Sequence, residues 1–148
     1  MNTKSDIAVE YFKQGYNCAQ SVFLAYADRY GFDKDTALRV SSSFGGGMGR
    51  LREVCGAVSS MFAIAGLEKG YTSPTDDETK AKHYELIQNL AQKFKTEFGT
   101  ILCRELLNLP AGADSPTPSK RTEKYYQERP CEDFIRFASE LIETEILN

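Results

Sequence analysis

The stretch DDETKAKHYELIQNLAQKFKTEF, residues 76–98, decides the fold class. Within it Tyr84, Ile87, Leu90, Ala91, Phe94 and Phe98 recur at three- and four-residue intervals, the spacing of one helix face, and the charged residues fall opposite. Asp76, Asp77 and Glu78 open it where the positive end of the helix dipole favours acids, and Gly99 closes it. The same periodicity continues outward on both sides. Towards the N-terminus, Ile7, Ala8, Tyr11 and Phe12 form a short stripe that Gly15 stops. Asn17, a good N-cap residue, opens a helix carrying Cys18, Val22, Ala25, Tyr26 and Arg29 as far as Gly31. Asp33 or Asp35 starts a third helix through Val40, and the least polar helix runs from about Leu51 to Leu67. Towards the C-terminus, Thr100 caps a short helix over Cys103 to Leu107. A last helix begins near Pro130 and buries Phe134, Phe137, Ala138, Leu141 and Ile142. No segment alternates as a half-buried strand does, so the expected architecture is all-α: a single-domain helical bundle of about six to seven helices over residues 1–148.

Composition narrows the function classes. Eighteen Lys and Arg against 21 Asp and Glu give a formal charge of −3, which offers no field for a polyanion, so nucleic acid is not an expected partner. The longest uncharged run, Val54 to Leu67, is fourteen residues and too short for a membrane span. The N-terminal sequence MNTKSDIAVEYFKQGYN lacks the apolar segment of a secretory signal, and the expected location is the cytoplasm. There four cysteines stay reduced, which favours thiolate chemistry or metal ligation over structural disulfides.

Those cysteines are Cys18, Cys55, Cys103 and Cys131, and each falls in or near the first turns of an expected helix. Unpaired N–H groups and the macrodipole there favour a negative sulfur. Arg50 or Arg52 near Cys55, Arg104 beside Cys103 and Arg129 near Cys131 add positive charge. Their separations of 37, 48 and 28 positions contain no Cys-x-x-Cys pair, so neither a zinc ribbon nor a thioredoxin-type dithiol is built locally. Any site is assembled by the tertiary fold. The plainer alternative is that all four are small apolar core residues. The glycine-rich run Phe44 to Arg50 bends tightly and lets other backbone approach Cys55; as a binding feature, Gly45, Gly46, Gly47 and Gly49 form an anion or cofactor cradle that lacks the lysine and Ser/Thr of a P-loop. His83, the one histidine, lies off the apolar stripe and reads as a solvated residue. Residues 109–120, LPAGADSPTPSK, read as a surface loop, with Lys120, Arg121, Lys124, Tyr125 and Tyr126 as a mixed surface beside it.

The segments Gly15-Tyr-Asn-Cys18-Ala-Gln-Ser21, Gly45-Gly-Gly-Met-Gly49, Cys55-Gly-Ala57, Cys103 and Pro130-Cys131 resemble the C_GCAxxG_C_C family. These are small bacterial and archaeal proteins described as redox-active and named for four cysteines and a CGAxxG motif. The resemblance covers nearly the whole chain and keeps the order of all four cysteines. Ser60 stands where the motif closes with glycine. The resemblance implies redox or metal-linked cysteine chemistry, with Cys18, Cys55, Cys103 and Cys131 as the site.

The leading expectation is a cytoplasmic thiol protein in which the fold joins at least two cysteines as a dithiol/disulfide couple, or as ligands of zinc or an iron–sulfur cluster. Cys55, with the glycine loop and two arginines nearby, is the expected reactive sulfur. The partner would be a redox protein or a small molecule, and a second copy of the chain is a further candidate. The alternative is a non-catalytic helical binding or assembly module with core cysteines.

Overall fold

The structure, a computed structural model, describes residues 3–148. Helix accounts for 67% of it, with six helices of seven residues or more and no strand among the described residues, so the fold is all-α. Among the described residues, no helix is long and apolar enough to cross a membrane. The helices are α1 (Lys4–Lys13), α2 (Cys18–Ala27), α3 (Lys34–Ser42), the single turn α4 (Gly45–Met48), α5 (Gly56–Lys69), α6 (Asp77–Phe98), α7 (Cys103–Leu106), α8 (Glu123–Glu128) and α9 (Cys131–Leu141).

Local chemistry explains most of these boundaries. Thr3 and Asp6 form a capping box on α1, and Asn17 and Gln20 form one on α2: Gln20 N donates to Asn17 Oδ1 at 2.8 Å while Gln20 Oε1 accepts from Asn17 N. Asp33 and Asp76 accept from the N–H groups of Thr36 and Thr79 at the starts of α3 and α6, and Gly99 ends α6 in the left-handed conformation with φ 89°.

Three local expectations are corrected. The least polar helix begins at Gly56 rather than near Leu51. Arg50 and Arg52 have φ of 66° and 61°, and residues 52–55 pair with residues 101–104 instead of coiling. Cys55 N donates to Ile101 O at 2.8 Å and Cys103 N to Glu53 O at 2.6 Å, with Val54 opposite Leu102. The segment after the proline loop is not a bare surface but holds α8, capped by Thr122, whose Tyr125 and Tyr126 rings lie against Phe12. Thr100 bonds Leu102 N, and Leu102 itself takes the cap position of α7.

The core centres on α2, which packs against α1, α3, α5 and α9, while α9 also packs on α1, α5 and α6. Phe94 and Phe98 of α6 interlock with Phe134 and Phe137 of α9 at centroid distances of 4.9–6.1 Å, the edge-on and tilted geometry that aromatic quadrupoles favour. Helices α2 and α5 meet at their first turns. A Cβ on Gly56 would lie 2.8 Å from Phe44 O and 3.0 Å from Ala19 N, so only glycine permits this approach. One turn later the buried Ser60 Oγ donates to Ala19 O at 2.6 Å, so the residue standing in for the motif's last glycine ties the same two helices together.

Gly56→Ala should destabilise the protein by about 1–3 kcal/mol in urea unfolding, the usual range for overpacking. Helix propensity alone predicts a gain of about 0.5–1 kcal/mol for the same change. The sign of the measured difference therefore checks whether the backbone contact is present.

Candidate functional site

Helix geometry puts the four cysteines on equivalent positions. Cys18, Cys103 and Cys131 are the first residues of α2, α7 and α9, and Cys55 is the cap residue of α5. The α2–α5 contact brings two of these helix starts together, the pairing of residues 52–55 with 101–104 adds the third, and α9 brings the fourth. All four cysteines line one cavity of about 260 Å³. Gly45, Gly46, Gly47 and Gly49 line it too. Gly47 has φ 67° and is pressed so closely on its neighbours that a Cβ would come within 2.6 Å of Cys103 Cβ. The loop thus forms a wall that leaves no room for a side chain.

The sulfurs differ in their surroundings. Cys18 and Cys131 lie close enough that each is the main influence on the other's acidity. The neighbouring Cys131 sulfur, followed by burial, raises the Cys18 thiol well above the ordinary range. Cys18 in turn favours a negative Cys131 sulfur, and Arg129, Arg121 and Arg52 add to this against the burial cost, so Cys131 is the thiol held below its ordinary value. Burial pushes Cys55 up to about 12; N–H groups of Val58 and Ala57 only partly oppose it. Burial also raises Cys103, but Arg52 pulls the other way, its Nη1 donating to Cys103 Sγ at 3.4 Å.

The arginines fall where sequence neighbourhood only partly indicates. Arg129 acts on Cys131 as expected. Arg52, expected beside Cys55, instead bonds Cys103 and, through Nη2, Asp114 at 3.1 Å; it is 3% exposed, and its Nε is buried without a partner. Arg50 straps the proline loop over the cavity, reaching Asp114 at 3.2 Å and Ser119 at 3.3 Å. Arg104 pairs outward with Glu53 and does not line the cavity. Arg121, Tyr125 and the proline loop were not expected at the site. Arg121 reaches it by donating to Phe12 O at 3.0 Å and Tyr16 O at 3.1 Å, with its guanidinium 4.3 Å from the Phe12 ring centroid. Its place in a basic and aromatic cluster was the only signal in the sequence. His83 stands half-buried against the Tyr71 ring rather than solvated, and it is not a cavity residue.

Cys18, Cys55, Cys103 and Cys131 have the donor chemistry of a zinc or iron–sulfur site. Among the described residues, however, no three His, Cys, Asp or Glu side chains gather closely enough to hold an ion.

The family described as "Putative redox-active protein (C_GCAxxG_C_C)" matches residues 16–145, a span that includes all four cysteines and the glycine loop. The chain belongs to that family. No curated protein and no solved structure matches it. In this C_GCAxxG_C_C protein the motif Cys55-Gly56-Ala57 is the cap and first turn of α5, and the motif glycine Gly56 makes the backbone contact with α2.

The surroundings that sequence position suggested for Cys55 differ: Arg52 lies on Cys103, Arg50 lies on the proline loop, and desolvation dominates at Cys55. In the fully reduced protein at pH 7, iodoacetamide should label Cys131 first and Cys55 far more slowly. A thiol held at about 12 carries on the order of a thousandfold less thiolate than a free thiol near 8.5. Because Cys55 stays protonated when folded and ionises when unfolded, the unfolded state binds fewer protons as pH rises. Stability from this group is complete below about pH 8.5 and falls as pH climbs towards 12. Urea unfolding from pH 8 to 11 should show this decline, and Cys55→Ala should make it shallower.

Proposed function

We propose that the chain is a dithiol–disulfide exchange protein in which Cys131 is the attacking sulfur and Cys18 the resolving one. The observation that carries this reading is the meeting of Cys18 and Cys131, the first residues of two helices, on one arginine-lined cavity, where the Cys131 thiol is lowered and the Cys18 thiol raised. The membership in a family named for redox activity supports it. So does the shared cavity, since sulfurs serving only as core packing have no reason to meet on one surface.

The exchange balances with these two residues and a disulfide substrate. The Cys131 thiolate attacks one sulfur of the substrate; a Cys131–substrate disulfide forms, the substrate S–S bond breaks, and the departing thiolate takes the proton that Cys18 holds. The Cys18 thiolate then attacks Cys131 Sγ, closing the Cys18–Cys131 disulfide and releasing the second half of the substrate as thiolate. That half is protonated by water. The protein dithiol is oxidised by two electrons and the substrate disulfide is reduced to two thiols. Reset requires a dithiol reductant of the compartment. The reading calls for a reducing setting such as the cytoplasm, where protein disulfides are transient and catalytic.

Treatment of the reduced protein with a small disulfide at pH 7 should give an intramolecular Cys18–Cys131 bridge, found by peptide mass mapping. Cys18→Ser should stop at a stable mixed disulfide on Cys131, and Cys131→Ser should abolish fast exchange, while Cys55→Ser retains it. Anaerobic purification with elemental analysis belongs to the same test. Stoichiometric zinc or iron that is lost in Cys18→Ser would replace the exchange reading with a thiolate metal centre, as would oxidation that bridges Cys55 to Cys103 first.

A further inference from the structure

The exchange reading leaves the substrate open, and the cavity wall bears on it. Arg50, Arg52, Arg121 and Arg129 line the cavity, and no Asp, Glu or Lys does. Asp114 is shared between Arg50 and Arg52 at 3.2 and 3.1 Å, so one carboxylate serves two guanidiniums. Arg121 and Arg129 have no carboxylate partner among the described residues; both lie over the Tyr125 ring, at 5.0 and 5.3 Å from its centroid. Arg52 is nearly fully buried, yet its Nε has no acceptor and its Nη1 has only a thiol sulfur. A buried guanidinium with an idle donor is costly unless something negative completes it. Cys131 feels Arg129, Arg121 and Arg52 together, so the uncompensated charge surrounds the sulfur assigned to attack.

Resting on the exchange reading, we propose that the cavity selects small disulfides carrying carboxylate or similar anionic groups close to the sulfurs. The volume of about 260 Å³ lies just under the range of drug-sized pockets, about 300–1,000 Å³, and suits one half of such a molecule. Apolar surface from Leu106, Leu107 and Phe134 accommodates its carbon atoms while the arginines take its charge. This assignment also gives the proline loop a role. Arg50 donates to Ser115 O and Ser119 Oγ, so the loop carrying Pro116 and Pro118 forms one wall of the space a small disulfide would enter.

Three disulfides of nearly equal size provide the test: dithiodiglycolate (anionic), hydroxyethyl disulfide (neutral) and cystamine (cationic). Second-order rates of Cys18–Cys131 oxidation are each divided by the rate with dithiothreitol in the same buffer. A free thiolate, itself negative, reacts slowest with the anionic disulfide. In the protein the normalised anionic-to-neutral ratio should be raised about tenfold, the lower end of electrostatic focusing in charged clefts. It should collapse as salt is raised from about 0.01 to about 1 M, where the screening length drops from about 30 to 3 Å. Arg129→Gln should cut the ratio severalfold; because both substrates meet the same thiolate, the ratio cancels any change in Cys131 acidity. Arg121 also anchors α1, so its replacement by Gln serves only as a second variant if Arg129→Gln fails to fold, and the salt dependence of the unmodified protein stands in either case. A ratio equal to that of dithiothreitol and indifferent to salt would overturn the selectivity while leaving the exchange reading intact. Failure of all three disulfides to oxidise the pair would overturn both.

Discussion

The site depends on the direct contact of two helix starts. Gly56 sets the first turn of α5 on the first turn of α2 with Phe44 O and Ala19 N too near for any Cβ, and the Ser60 hydroxyl fastens the same turns by its bond to Ala19 O. Backbone contact of this kind fixes the relative position of Cys18 and Cys55 more tightly than side-chain packing does, because no rotamer can absorb a displacement. The other two sulfurs are registered on this pair. Cys103 is held by the hydrogen bonds between residues 52–55 and 101–104, and Cys131 by α9, which packs on both α2 and α5.

Convergence of helix N-termini has an electrostatic cost and a chemical use. Each start presents unpaired N–H groups and the positive end of a dipole, so bringing several together with four arginines concentrates positive potential in one cavity. A thiolate relieves that potential, whereas desolvation opposes ionisation of any buried sulfur. The balance is decided by immediate partners. Cys131 has Cys18 beside it and the field of three arginines; Cys103 has one guanidinium at 3.4 Å; Cys55 has neither and stays a thiol. Four identical side chains on equivalent helix positions thus acquire different acidities.

Ser60 illustrates how a departure from a motif is absorbed. A glycine at this point would offer close approach and nothing else, whereas the serine hydroxyl fits the same gap and gains a hydrogen bond to Ala19 O of about 1 kcal/mol in net terms. The helix geometry at residue 60 does not need a left-handed backbone, so the requirement was for small size.

Helix class, most boundaries and the placement of cysteines at helix starts were legible in the sequence, because they rest on interactions within three or four residues. Asn17 bonds Gln20, Asp33 bonds Thr36, Asp76 bonds Thr79, and the stripe of residues 84–98 is a matter of spacing. Tertiary structure alone decided what depends on partners far along the chain. Residues 53–55 are extended rather than helical because residues 101–103 share hydrogen bonds with them. Arg52 bonds Cys103 rather than its neighbour Cys55 because its left-handed backbone turns the side chain across the cavity. Arg121 reaches the site through the carbonyls of Phe12 and Tyr16. The contrast in acidity between Cys131 and Cys55 belongs to the same class: it is a balance of desolvation and through-space charge, and both are set by which atoms surround a sulfur after folding.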